Sequence, residues 1–295
     1  MRLLYFILIG VITVCSCGSN LPQFDANNSY DILKDQCDLG PRYPGSEGIE
    51  LCREYIIHLL EDANAVIEQQ KFTVQVADKE YQGINILASF YPRMSRRILL
   101  GAHYDTRPWA DKEQDKGLHD EPIIGANDAA SGVAVLLEIS RILSQHQPSQ
   151  FGVDMVFFDL EDMGQYGNSS SWCLGSQYFA ENFKGRIPEK AIVVDMIGDN
   201  DLSIEMEYSS YHNSPTLVNE IWDLARNLGY NEFKYQIGAK VYDDHFPLIQ
   251  AGFDAIDIID FDYEYWHTLA DTPDKCSPNS LQIVGQTLTN LIYLK

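Results

Sequence analysis

Positive charge is scarce in this sequence. The 295 residues hold 21 Lys and Arg against 43 Asp and Glu, a net charge of −22 with His neutral. A nucleic-acid partner wants a basic footprint, so that class of function is excluded. Internal repeats and low-complexity blocks are also missing. The one N-terminal apolar run, residues 3–14, is too short to span a bilayer comfortably. Of six cysteines, Cys37, Cys52, Cys173 and Cys276 lie beyond the N-terminal segment, and their spacing is not that of a zinc knuckle. Four cysteines allow three pairings, between which sequence does not choose, and plain buried thiols are the expectation. What is present is an ordinary apolar fraction of 45%, enough for a core that folds without staples.

The N-terminus has the layout of a secretory signal: Arg2 at the positive end, then the apolar run, ending Val14-Cys15-Ser16-Cys17-Gly18. A small residue before a cysteine, with an aliphatic residue two further back, resembles the bacterial lipoprotein signal. That resemblance implies a signal over residues 1–16, lipidation of Cys17 and a flexible tether over residues 17–30. The protein would then be an exported lipoprotein, periplasmic or anchored to a cell-envelope membrane. An ordinary cleaved signal without lipid is the alternative.

Residues 31–295 read as one α/β domain. Residues 46–63 suggest a helix capped by Ser46, with Ile49, Cys52, Ile56, Leu59 and Leu60 on one face. Strands are expected over residues 65–76, 83–91, 97–102, 153–158, 191–197 and 255–261. Further helices are expected over 128–145, 175–183, 214–229 and 278–294. This alternation predicts a three-layer sandwich: a central, mostly parallel, mixed twisted sheet with helices on both faces. In such sheets ligands bind beyond the carboxyl ends of the strands. His103, Asp105, Glu161, Asp162, Asp195 and His267 fall there, and Asp128 falls just before a helix. Two irregular stretches, 106–125 and 164–174, carry Trp109 and Trp172 and would overhang the strand ends.

A set of imidazoles and carboxylates at strand ends suits zinc, which takes imidazole nitrogen and carboxylate oxygen. Asp128, Asp162 and His267 are the first-choice ligands, with His103 and Asp195 as second-site candidates. Taken singly, Asp128 is also a plausible helix cap, Asp162 a solvated acid and His267 a half-buried core histidine. Adjacent residues on an extended segment point in different directions, so Asp162 can bind metal while Glu161 faces a substrate as a proton shuttle.

The segments His103-Tyr104-Asp105-Thr106-Arg107, Gly125-Ala126-Asn127-Asp128-Ala129-Ala130-Ser131-Gly132, Phe157-Phe158-Asp159-Leu160-Glu161-Asp162, Asp195-Met196-Ile197-Gly198 and Trp266-His267-Thr268 resemble the zinc aminopeptidase (M28) superfamily. Within it they are most similar to the glutaminyl-peptide cyclotransferases of the animal kind. The run Gly40-Pro41-Arg42-Tyr43-Pro44-Gly45-Ser46 resembles that family's N-terminal segment. Three features favour the cyclase branch: Trp266 before His267 resembles its pocket tryptophan, Tyr242-Asp243-Asp244-His245-Phe246-Pro247 resembles its segment carrying an active-site Asp, here Asp243, and Arg107-Pro108-Trp109-Ala110-Asp111 resembles the bacterial cyclases. One departure is Glu161-Asp162 where the animal enzymes have Glu-Glu.

The resemblance implies an acyltransferase that converts N-terminal Gln of peptides and proteins to pyroglutamate and releases ammonia. One zinc would act as a Lewis acid, with Glu161 as proton shuttle, Asp243 and Asp195 stabilising the reacting amide, and Trp266 and Trp172 walling the pocket. The catalytic domain would be monomeric. The alternative is a zinc aminopeptidase, which would use His103, Asp128, Asp162, Asp195 and His267 to hold two zincs. A third possibility is a binding lipoprotein of this fold without activity, disfavoured because no expected ligand is lost.

Overall fold

A computed structural model describes residues 21–76 and 79–294 of the chain. The expected signal and Cys17 lie outside the described residues. In chain order the elements are α1 (Ala26–Asp38), α2 (Glu47–Asp62), β1 (Val66–Val76), β2 (Lys79–Phe90), β3 (Arg97–His103), α3 (Ala130–Gln145), β4 (Gly152–Phe158), α4 (Leu174–Asn182), β5 (Lys190–Asp195), β6 (Ile204–Met206), α5 (Tyr208–Asn213), α6 (Pro215–Asn227), β7 (Phe233–Ile237), α7 (His245–Gln250), β8 (Ala255–Ile259) and α8 (Pro278–Tyr293).

Strand alternation explains the layering. Leu100, Met155, Ile192 and Ile256 face one core, under α1, α2, α3, α6 and α8. Their neighbours Leu99, Val156, Val193 and Ala255 face a second core, under α4 and α7. Strands apolar on both sides need helices on both sides, and the sheet is the centre of three layers. Its order is β1-β2-β4-β3-β5-β8. The β4, β3, β5 and β8 strands run parallel; β1 and β2 form an antiparallel extension at one edge. A parallel pair, β6 and β7, stands apart. The expected mixed, mostly parallel sheet is therefore observed. Truncating Phe157, fully buried on β4, would cost roughly 3–5 kcal/mol.

Two local arrangements position the site. Ser46 caps α2 by accepting from the Ile49 N–H at 3.1 Å, as expected. At Gly132 in the first turn of α3 a Cβ would meet the Val194 carbonyl oxygen at 2.6 Å, so the missing side chain lets α3 lie close on β5.

The tether boundary needs correction. Residues 26–30 belong to α1, which Asp25 caps by accepting from the Asn27 and Asn28 N–H groups at 3.1 Å. The segment is polar because its partners are polar: the Phe24 N–H donates to Gln286, and the Asn28 amide donates to Glu138 at 2.7 Å. The described cysteines, Cys37, Cys52, Cys173 and Cys276, are free and buried. No helix among the described residues is long and apolar enough to cross a membrane.

Candidate active site

The carboxyl ends of the parallel strands all open on one edge. His103 ends β3, Asp195 ends β5, and the turn after β4 delivers Glu161 and Asp162. Asp128 sits two residues before α3 and does not cap it, since that helix has no side-chain cap. Leu160, Cys173, Met196 and His267 hold φ between +47° and +58°. Bulky residues adopt this left-handed region only where surroundings enforce it, and such residues gather at functional sites.

Supporting carboxylates fix the loops. Asp105 accepts from the N–H groups of Glu161 and Asp162 at 3.0 and 3.1 Å, locking the acid pair. Asp271 accepts from the N–H groups of Asn127 and Asp128 at 2.8 and 3.2 Å, and from the Tyr263 hydroxyl at 2.7 Å.

Asp128, Asp162 and His267 converge so that their donor atoms lie within 4.8 Å of one another. The His267 Nε2 is 3.1 Å from the Asp162 Oδ1 and 3.6 Å from the Asp128 Oδ2. Both Asp162 oxygens are buried without a hydrogen-bond partner. A buried carboxylate left so is costly unless a cation meets it. One imidazole nitrogen plus carboxylate oxygens is a zinc-type donor set, and these residues fit the ion. The His267 Nδ1 faces Asp111 at 3.2 Å, the outer carboxylate that metal-binding histidines usually have.

The second-site candidates His103, Asp128 and Asp195 also converge, with donor atoms within 4.8 Å of one another. The His103 Nε2 is hydrogen-bonded to Asp195 at 3.1 Å and lies 3.2 Å from the Asp128 Oδ1.

Glu161 is buried beside this cluster, and the Cys173 thiol donates to its Oε1 at 3.2 Å. Burial pushes its carboxyl well above the usual range, aided by the charges of Asp162, Asp243 and Asp244 and opposed by His103. Such an acid can both accept and return a proton.

The family model for peptidase family M28 matches residues 85–292. The chain belongs to peptidase family M28. A glutaminyl cyclase from Bacteroides thetaiotaomicron aligns over 94% of this chain and 100% of its own, with 37% identity and a TM-score of 0.90. A leucine aminopeptidase precursor from the same species aligns over 94% and 99%, again at 37% identity and a TM-score of 0.90. Bovine glutaminyl-peptide cyclotransferase is 23% identical over 292 residues, 86% of this chain and 79% of its own.

In this M28 chain the site opens into a cavity of about 440 Å³. Glu161, Asp195 and Asp243 line it together with Asp128, Asp162 and His267, while Trp172 and Trp266 form its walls. Every expected described site residue except His103 reaches the cavity; His103 lies behind Asp128 and Asp195. The ring of His267 lies parallel to Trp172, with centroids 6.1 Å apart, and tilted against Trp266, with centroids 4.1 Å apart. Gly164 backs Trp172 so closely that a Cβ there would lie 1.8 Å from the indole. Trp109 does not line the cavity; it packs on a small cluster around Phe72 and Met163.

Several residues were missed as site components. The Arg107 guanidinium, 4.7 Å from the Trp172 ring centre, donates to Asp111 at 2.6 Å and to the carbonyls of Asp162 and Gly164 at 2.8 Å. It ties the pocket wall to the carboxylate that orients His267. Tyr166, Val241 and Phe261 also line the cavity. Asp111 lies in an irregular loop with no periodicity to mark it; the signals were its nearness to Arg107 at i+4 and its place in the run from Arg107 that resembles the bacterial cyclases.

Proposed function

We propose that the protein is a glutaminyl-peptide cyclotransferase, converting N-terminal Gln of peptides and proteins to pyroglutamate with release of ammonia. The observation that carries this reading is the pocket itself. Trp172 and Trp266 wall one cavity into which Glu161, Asp243 and the donor set Asp128, Asp162 and His267 all open, while His103 stays behind it. A single zinc on Asp128, Asp162 and His267, with an uncoordinated Glu161 beside it, suits intramolecular acyl transfer. The aminopeptidase reading, which needs five ligands on two zincs, is less supported, although an aminopeptidase precursor is among the similar structures.

When bound, zinc supplies Lewis acidity toward the γ-carbonyl oxygen of the substrate. The substrate's α-amine forms a bond to its own γ-carbonyl carbon, and the bond from that carbon to the amide nitrogen breaks. Glu161 takes the proton from the amine and returns it to the departing nitrogen, which leaves as ammonia. The Asp243 Oδ2, buried and unpartnered, accepts from the reacting amide, with Asp195 in support. Trp172 and Trp266 narrow the cavity to the folded conformer of one side chain and keep water away, which supplies much of the rate.

We infer, from the Ser16-Cys17 pattern after the apolar run, that the protein is exported and anchored by lipid at Cys17. Recovery of the mature protein in the aqueous phase after detergent extraction would contradict this. The activity is checked by mass spectrometry of a Gln-initiated peptide. Loss of one ammonia with the chain intact is expected; loss of the whole first residue would replace this reading with the aminopeptidase.

A further inference from the structure

Behind Asp243 lies a second group of ionisable residues that the reaction above does not use. Glu207, at the N-terminus of α5, His245, opening α7, and Asp257, in the middle of β8, are each no more than 2% exposed. The His245 ring stands between the two acids, with Nε2 3.2 Å from the Glu207 Oε2 and Nδ1 3.3 Å from the Asp257 Oδ2. Neither contact is aligned as a hydrogen bond, so the attraction is chiefly between charges. Asp257 continues inward: a carboxylate oxygen of Asp243, a nitrogen of His245 and an oxygen of Asp257 all lie within 4.8 Å of one another.

We propose that His245 is a positioning residue. Held between Glu207 and Asp257, it supplies the positive charge that lets Asp257 and Asp243 stand side by side, and so fixes where the Asp243 carboxylate points in the pocket.

Three observations support this. First, the outer half of the clamp is rigid. Glu207 accepts from the N–H and hydroxyl of Ser210 at 2.6 and 2.8 Å and from the Val241 N–H at 3.1 Å. Val241 belongs to the same segment as Asp243, so one carboxylate holds the imidazole and the pocket-lining strand of chain together. Second, Ser210 also receives the Asp257 N–H at 3.0 Å, joining the two acids through a single side chain. Third, the cation these two acids face is His245. The charged groups facing His245 are Glu207 from α5, Asp257 from β8 and Asp243 from its own segment; burial, with the charges of Asp243 and Asp195, pushes the Asp257 carboxyl well above the usual range, and His245 opposes that rise. Burial opposes charge on the imidazole, but Asp257 and Glu207 outweigh it and raise the ring to about 10. A buried carboxylate pair without that charge must move apart or take up a proton.

The inference rests on the cyclase reading for its kinetic arm only; a crystallographic arm is independent of it. In H245Q, which is uncharged and of similar length, the Asp243 carboxylate should be displaced or rotated in the crystal structure, whatever the enzyme's substrate. With a Gln-initiated peptide, kcat should fall on the order of 10–100-fold with KM and zinc content within about twofold of the parent. The double variant H245Q/D257N, which removes both charges, should recover a large part of kcat; a role in stability alone predicts no such recovery. An unmoved Asp243, or an unchanged kcat in a zinc-loaded H245Q, overturns the proposal. So does a second equivalent of metal that D257N removes, since the cluster would then be a metal site. If H245Q does not fold, E207Q decides: a fall in kcat of roughly 3–10-fold at constant KM supports the clamp, and an unchanged kcat overturns it. Should the parent protein release whole residues, the cyclase reading fails, yet the Asp243 displacement still decides the role of His245.

Discussion

Two clusters built from the same residue types stand on either side of the pocket carboxylates, one beside Glu161 and one behind Asp243, and they end up doing opposite things. Around His267, the imidazole Nε2 meets two carboxylates, both oxygens of Asp162 are buried and unpartnered, and the far nitrogen is steadied by Asp111. That cluster opens into the pocket and is complete only with a cation. Around His245, both ring nitrogens again face carboxylates and both oxygens of Asp257 are unpartnered, but Glu207, His245 and Asp257 stay out of that pocket. There the imidazole is itself the cation. Histidine and aspartate at short range therefore do not define a metal site; what differs between the two clusters is access to the pocket.

The sharpest way to break the comparison is metal removal. Dialysis against a strong chelator should abolish turnover, and one equivalent of zinc should restore it. Two equivalents needed for full recovery would mean that a second cluster also binds metal. Glu161→Gln comes next. A loss of roughly 10²–10⁴-fold in kcat is expected with zinc retained, measured by peptide turnover and metal analysis on the same sample. Asp111→Asn should weaken zinc about 10–100-fold, by competition with a chromogenic chelator, because the outer partner no longer orients His267. Activity that stays low at saturating zinc would give Asp111 a different role.

The smallest effect is on pH-dependent stability. The folded-state pKa of His245 is raised to about 10, from an ordinary value near ~6.5. Its contribution is thus fully present below about pH 6.5 and fades as pH rises through about 10. Glu207 behaves in the opposite sense: its carboxyl is held at about 2, burial being outweighed by His245 and the local N–H donors, so its share is full above its ordinary value of 4.5 and is lost as pH falls from there through about 2. The Tm gap between the parent and H245Q should therefore be widest between about pH 5 and 6.5 and shrink toward pH 10. A gap that widens with pH would mean a neutral ring.

Much of this was readable beforehand. The buried strands announced themselves because they are apolar on both faces, and the strand-end acids followed from topology. Helix α1 was not legible: Ala26-Asn27-Asn28-Ser29-Tyr30 looks like linker, and only the distant Glu138 and Gln286 give its polar groups a place to go. Helices α5 and α7, six residues each, are too short to show a stripe. Cys173 passed for an ordinary core thiol, since nothing in sequence reveals that its sulfur points at Glu161. His245 was noted only as part of the segment around Asp243; its partners lie 38 and 12 residues away, at Glu207 and Asp257.

Gly164 has a consequence for what the enzyme can be made to accept. The indole of Trp172 occupies the volume that a side chain at 164 would need. The bore of the pocket is therefore governed from its outer side, by an atom that is not there. Adding a methyl group at this point would push the wall inward without touching any acid or ligand, and Gly164→Ala should raise KM for a Gln-initiated peptide more than it lowers kcat. Substrate fit and reactivity would then be separately adjustable in the same cavity, one from behind the tryptophan and the other from the carboxylates.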